Sequence, residues 1–128
     1  MYPDSPPPPI TVQAFYVLLS LSNTELHAYA IKGAVYSCSL GSLSLTTSRL
    51  YALVGHLYEE GFIEKTGLYS AGKSGKKRLH YTISAHGSIR LQEELLRIKH
   101  AVEVAEHKGL LENKTPTDIQ RLLLNAKI

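Results

Sequence analysis

A chain of 128 residues, 44% hydrophobic and 20% charged, makes one small globular domain with a modest core and excludes a disordered polymer. Its net charge of +3 is mild but uneven: Lys65, Lys73, Lys76, Lys77, Arg78 and Arg90 fall between residues 65 and 92, where there is no acid, which suits an anionic partner or a solvated face. The longest apolar run, AFYVLL, is far short of the roughly 18 residues of a membrane span, no secretory pattern opens the chain, and the single Cys38 fits a reducing compartment, so a cytoplasmic protein with no membrane partner is expected.

Five of the six prolines crowd into residues 3–9, where missing N–H groups and a fixed φ favour an extended leader, residues 1–10, over packed structure. Thr11 caps a first helix of about residues 12–21, with Val12, Phe15, Tyr16, Leu18 and Leu19 as its apolar face. After the SNT turn, a second helix of about residues 26–37 carries Leu26, Ala30, Ile31, Ala34 and Val35 and dissolves into the Ser/Gly stretch SCSLGSLS. The third is better marked. Thr47 reads as its N-cap, Leu50, Leu53, Val54 and Leu57 repeat at i, i+3, i+4, i+7, and Gly61 stops it.

FIEKTGLY and KRLHYTIS then form a hairpin with one buried face, since Leu79, Tyr81 and Ile83 alternate with Arg78, His80 and Thr82. Ser84 caps a long helix of about residues 85–108 that ends at Gly109, and Thr115, Pro116 and Asp118 open a last short helix with Ile119, Leu122 and Leu123. The expected fold is mainly α with a small β-hairpin.

GLYSAGKS, residues 67–74, fits the phosphate-cradling pattern G-x-x-x-x-G-K-[ST] letter for letter. That pattern works where a buried strand ends and a helix begins, so that the helix N-terminus holds phosphates. Here a charged, half-buried strand precedes it and a second strand follows. The only aspartates, Asp4 and Asp118, lie in the leader and in a helix cap, so no apolar strand ends in an acid for Mg²⁺. The stretch reads as a hairpin tip, and a small NTP-binding enzyme is left as a remote alternative. His100, Glu103 and His107 share one side of the long helix but span almost two turns and read as solvated surface. No catalytic set, metal site or cofactor is expected, and the chain reads as a non-enzyme.

Three helices followed by a basic hairpin is the winged helix-turn-helix plan, and over about residues 12–108 the chain resembles the PadR family of transcriptional regulators. His27-Ala28-Tyr29 matches the family's H-G-Y at the second helix, and Ser48-Arg49-Leu50-Tyr51-Ala52-Leu53-Val54-Gly55-His56-Leu57 matches G-T-L-Y-x-x-L-x-x-L. Glu59-Glu60-Gly61-Phe62-Ile63-Glu64 matches E-E-G-L-I-E, and Arg78 to Gly87 matches R-x-Y-x-L-T-x-x-G. The family's Gly-Thr has become Ser48-Arg49, and a basic pair often found before the last Leu has become Gly55-His56. The resemblance implies a winged helix-turn-helix at residues 11–84 and a C-terminal helical dimerisation region at residues 85–128.

Opposite the apolar stripe of the third helix lie Ser48, Arg49, Ala52, Gly55 and His56, with Thr47 at the start and Tyr51 at the edge. Small residues allow close approach to a major groove, where Arg49 suits a bidentate contact with guanine and Ser48 a base edge or phosphate. The resemblance implies a DNA-backbone contact for Tyr51, and Tyr29 of the H-G-Y match is expected among the DNA-binding residues. Lys73, Lys76, Lys77 and Arg78 on the hairpin are expected to meet phosphates.

Along the long helix Leu91, Leu95, Ile98, Val102 and Ala105 fall at 4, 3, 4, 3 spacing, a seam of period 3.5 that buries best against another helix. Twenty-four residues rise about 36 Å, longer than so small a domain can cover, so a homodimer is expected, its interface completed by Ile119, Leu122 and Leu123. The chain therefore reads as a homodimeric repressor of double-stranded DNA with an inverted-repeat operator. The resemblance adds a small-molecule effector, and the alternative is a winged helix used for protein contacts.

Overall fold

The computed structural model describes residues 9–71, 77–112 and 114–126, so the expected leader lies outside it apart from Pro9 and Ile10. Helix α1, Val12–Ser20, starts because extended Thr11 accepts a hydrogen bond from the Ala14 N–H at 3.1 Å. Its buried side is Ala14, Val17 and Leu18, continued by Leu21, while Val12 is exposed and Phe15, Tyr16 and Leu19 pack at the margin. The face in the core is thus rotated from the one the spacing suggested.

Leu26 and His27 form a two-residue strand, β1, that pairs with Tyr81 and His80, so the second helix, α2, spans Ala28–Cys38 rather than starting at residue 26. A strand that short has no alternation to read. His27 caps α2 with its side chain, Nδ1 accepting the Ala30 N–H at 3.2 Å. Helix α3, Thr47–Glu59, buries the expected Leu50, Leu53, Val54 and Leu57, but its cap is Thr46, whose hydroxyl oxygen accepts the Arg49 N–H at 3.1 Å. Thr47 is instead the first helical residue. Past its end Gly61 turns at φ 79°, a conformation a side chain disfavours.

Strands β2, Ile63–Ala71, and β3, Lys77–Ile83, are antiparallel, in register from Ile63 opposite Ile83 to Ala71 opposite Lys77, with an irregularity between Lys65 and Tyr69. The sheet order is β1-β3-β2. Gly67 to Ala71 of GLYSAGKS accordingly lie in β2, its last three residues lie outside the described residues, and the next described element is strand β3. Helix α4, Ala85–His107, opens with Ser84 accepting from the Gly87 N–H at 2.9 Å. Helix α5, Pro116–Ala126, opens with a reciprocal pair: the Asp118 N–H donates to the Thr115 hydroxyl at 3.2 Å and the Thr115 N–H to the Asp118 carboxylate at 2.9 Å.

The chain divides into two compact units, one reaching Glu94 and one from Leu95 onward. The first is a three-helix core closed by the sheet, with Val17, Leu18, Leu21, Ile31, Val35, Leu50, Leu57 and Ile63 fully buried. Burying each such side chain stabilises the fold by about 1.5–3 kcal/mol relative to exposure. The first turns of α4 belong here too, with Gly87, Arg90 and Leu91 buried. Leu91, expected in a dimer seam, is therefore a core residue of its own chain.

Candidate nucleic-acid interface

Every residue singled out on the third helix, Thr47, Ser48, Arg49, Tyr51, Ala52 and His56, is exposed, because the stripe at Leu50, Leu53, Val54 and Leu57 takes the opposite side into the core. The exposed surface has two flanks. Thr47, Tyr51 and Tyr58 follow at helical spacing on the sheet side, whereas Arg49, Ala52, His56 and Glu60 line up on the α1 side, with Ser48 and Gly55 between.

On the sheet side His27, Tyr29, Tyr51, Arg78 and Tyr81 surround a hollow of about 270 Å³. Tyr29 and Tyr51 are 65% and 59% exposed, so both hydroxyls can reach a partner, and the Arg78 guanidinium carbon lies 5.8 Å from the Tyr29 ring centroid, within cation–π range. The structure thus brings together Tyr29, Tyr51 and Arg78 from three elements. Lys77 begins β3 beside them in sequence, and Lys73 and Lys76 lie outside the described residues. Further along the same flank, Lys65 Nζ sits 4.5 Å over the Tyr58 ring.

Two groups in this hollow hold their protons differently from the free side chains. Burial first, then the charge of Arg78, then His80, hold the His27 imidazole below its usual pKa, which keeps Nδ1 available as the cap of α2. Burial, then the phenols of Tyr51 and Tyr58, push the Tyr81 hydroxyl up, so it remains a neutral donor. The site therefore combines the positive charge of Arg78 with tyrosine hydroxyls and, among the described residues that line it, no carboxylate, an arrangement suited to phosphate oxygens.

The α1 side differs. Pro9, Ile10, Ala14, Leu53, Leu57 and Phe62 floor a cleft of about 520 Å³, with Arg49, His56, Glu60 and buried Arg90 among its polar groups. Arg49 Nε donates to Gln13 Oε1 at 2.9 Å. His56 Nε2 lies 2.6 Å from the Glu60 carboxylate, one turn on, so its ring is turned along the helix toward an acid rather than toward its N-terminal end.

In the second unit the expected seam residues Leu95, Ile98 and Val102 and the α5 residues Ile119, Leu122 and Leu123 all remain well exposed, and Ala105 is partly so. Sequence reasoning missed the contributions of His27, Gln13 and Tyr81. His27 and Tyr81 come together only through the pairing of β1 with β3, and Gln13 reaches Arg49 across 36 positions, beyond any local pattern.

No helix among the described residues is long and apolar enough to cross a membrane. No curated protein matches the sequence at a significant level. Among solved structures, the chain is similar to PadR of Bacillus subtilis in complex with operator DNA, at 26% identity and a TM-score of 0.57 over 68% of this chain, spanning about half (48%) of that one. A PadR-like transcriptional regulator of Bacillus cereus shares the fold at 21% identity and a TM-score of 0.57, over 80% of this chain and 94% of that one. A PadR family transcription regulator of Clostridium difficile shares it at 17% and 0.58, over 73% and 94%. The model of the transcriptional regulator PadR-like family matches residues 17–93, which run from α1 through the hairpin into α4, and with more than half of its residues so matched the chain belongs to that family.

Proposed function

We propose that the protein is a homodimeric, sequence-specific DNA-binding regulator that represses by occupying an inverted-repeat operator. The observation that carries this reading is the convergence of Tyr29, Tyr51 and Arg78 beside the small exposed residues Ser48, Ala52 and Gly55 of α3. In the proposed complex α3 enters the major groove, where Arg49 and Ser48 reach base edges and Thr47 and Ala52 line the approach. Tyr29, Tyr51 and Arg78, with Lys73, Lys76 and Lys77 of the wing, hold the flanking phosphates. His56, engaged with Glu60, adds little unless that surface pair opens, and such pairs hold by only about 0–1 kcal/mol.

Dimerisation is assigned to the second unit. Leu95, Ile98, Val102 and Ala105 on α4, with Ile119, Leu122 and Leu123 on α5, leave an apolar face uncovered within the chain, and such a face is stable in water only against a partner helix. A compact dimer acts most simply by excluding polymerase from the site it covers. The cleft beside Arg49 falls within the roughly 300–1,000 Å³ range of ligand pockets and is the place for a small effector that relieves binding.

Titrating the protein into labelled random duplex at two salt concentrations, with fluorescence anisotropy as readout, tests the reading at its base. Binding that weakens steeply with salt is expected. Absence of binding at low salt would leave the basic wing without a phosphate partner and favour a protein-contact module.

A further inference from the structure

We infer that Gln13 is a specificity-determining positioning residue that acts through Arg49; the inference rests on the DNA-binding reading above. The contact joins the first turn of α1 to the first turn of α3, Arg49 Nε donating to Gln13 Oε1 at 2.9 Å. An exposed arginine carries about 2 kcal/mol of rotamer entropy, and an unanchored one meets phosphate as readily as base. Anchoring Nε fixes the plane of the guanidinium and leaves the terminal nitrogens, Nη1 and Nη2, as a fork. That fork is a pair that bidentate recognition of guanine O6 and N7 can use.

Gln13 is itself well placed to act as an anchor. It lies two residues after the Thr11 cap, next to Ala14 and one turn before Val17, both buried in the core, so the backbone that carries it is held. Its amide oxygen accepts without adding charge beside a polyanion. Sequence preference at one base pair per half-site is thus set by two residues, of which only Arg49 touches DNA.

Binding-site selection and affinity measurements on wild type, Arg49→Ala, Gln13→Ala and Gln13→Glu test this. Arg49→Ala relaxes the preference at one symmetric pair of positions, by roughly five- to a hundredfold per half-site. Gln13→Ala relaxes the same positions by a smaller factor, with unchanged thermal melting. Gln13→Glu, which still accepts from Nε, restores the preference even where added negative charge lowers overall affinity. If Gln13→Ala keeps the full preference that Arg49→Ala loses, or if it weakens operator and random duplex equally, the inference is overturned while the regulator reading stands. A wild-type protein that selects no sequence overturns both.

Discussion

A methyl group on Gly87 would fall on the carbonyl oxygen of Phe62, because the Ser84 N–H donates to that same carbonyl at 3.0 Å and the Ser84 hydroxyl to the Gly61 carbonyl at 2.6 Å. The Ser-Ala-His-Gly stretch is thus a clamp that seats the start of α4 against the turn after α3. Gly87→Ala is expected to destabilise the fold by about 1–3 kcal/mol through overpacking. Gly55→Ala, on the exposed side of α3 with nothing within 4 Å, should stabilise it by about 0.5–1 kcal/mol through helix propensity. Urea midpoints of the two variants moving in the same direction would contradict this account of the packing. His27 makes a pH prediction. Its pKa is lowered in the fold, so the unfolded chain binds the extra proton; its contribution is complete above the ordinary histidine range and is lost as pH falls through the lowered value. Protonation removes the α2 cap and sets a charge beside Arg78 and His80, whose own Nδ1 lies 3.9 Å from the Glu25 carboxylate. His27→Asn, a capping residue that does not titrate, should melt with a shallower loss between pH 7 and 5 than wild type; parallel curves would remove His27 as the cause.

The elements differ in how far the sequence exposed them. The α3 stripe was legible because Leu50, Leu53, Val54 and Leu57 repeat at helical spacing, and the hairpin because Leu79, Tyr81 and Ile83 alternate, although Arg78 to Ile83 are all half-buried rather than buried on one face. Thr46 and Thr47 are both competent caps, and only the backbone decides between them. Leu91 lies in the same 3.5-residue repeat as Leu95 and Ile98, so spacing alone does not separate a core position from a seam position; burial does. That distinction is testable, since Ile98→Asp with Val102→Asp should yield a folded monomer by analytical ultracentrifugation, whereas Leu91→Asp should unfold the first unit. A dimer that survives the double substitution would place the interface elsewhere. For the wing, replacing Lys73, Lys76 and Lys77 by Ala should weaken operator and random duplex alike and flatten the slope of log K against log salt by about 0.9 for each phosphate no longer neutralised. An unchanged slope would mean that the hairpin does not touch DNA.

At the scale of the whole molecule, the proposed function gives the first unit the surface for DNA and the second an apolar face for a second copy. In the proposed dimer two copies related by a twofold axis present two α3 helices, so operator symmetry would follow from protein symmetry. In the proposed complex the basic wing gives affinity that is indifferent to sequence, while Ser48 and Arg49 at the start of α3 give discrimination. Neither suffices alone, because a genome offers a vast excess of non-specific sites. Binding-site selection from a random duplex library, followed by measurement of how many protomers occupy the selected site, tests this most directly. The predicted result is an inverted repeat, its halves about one helical turn or a multiple apart, bound by two protomers. Enrichment of no sequence, or of a single half-site held by one protomer, would contradict it.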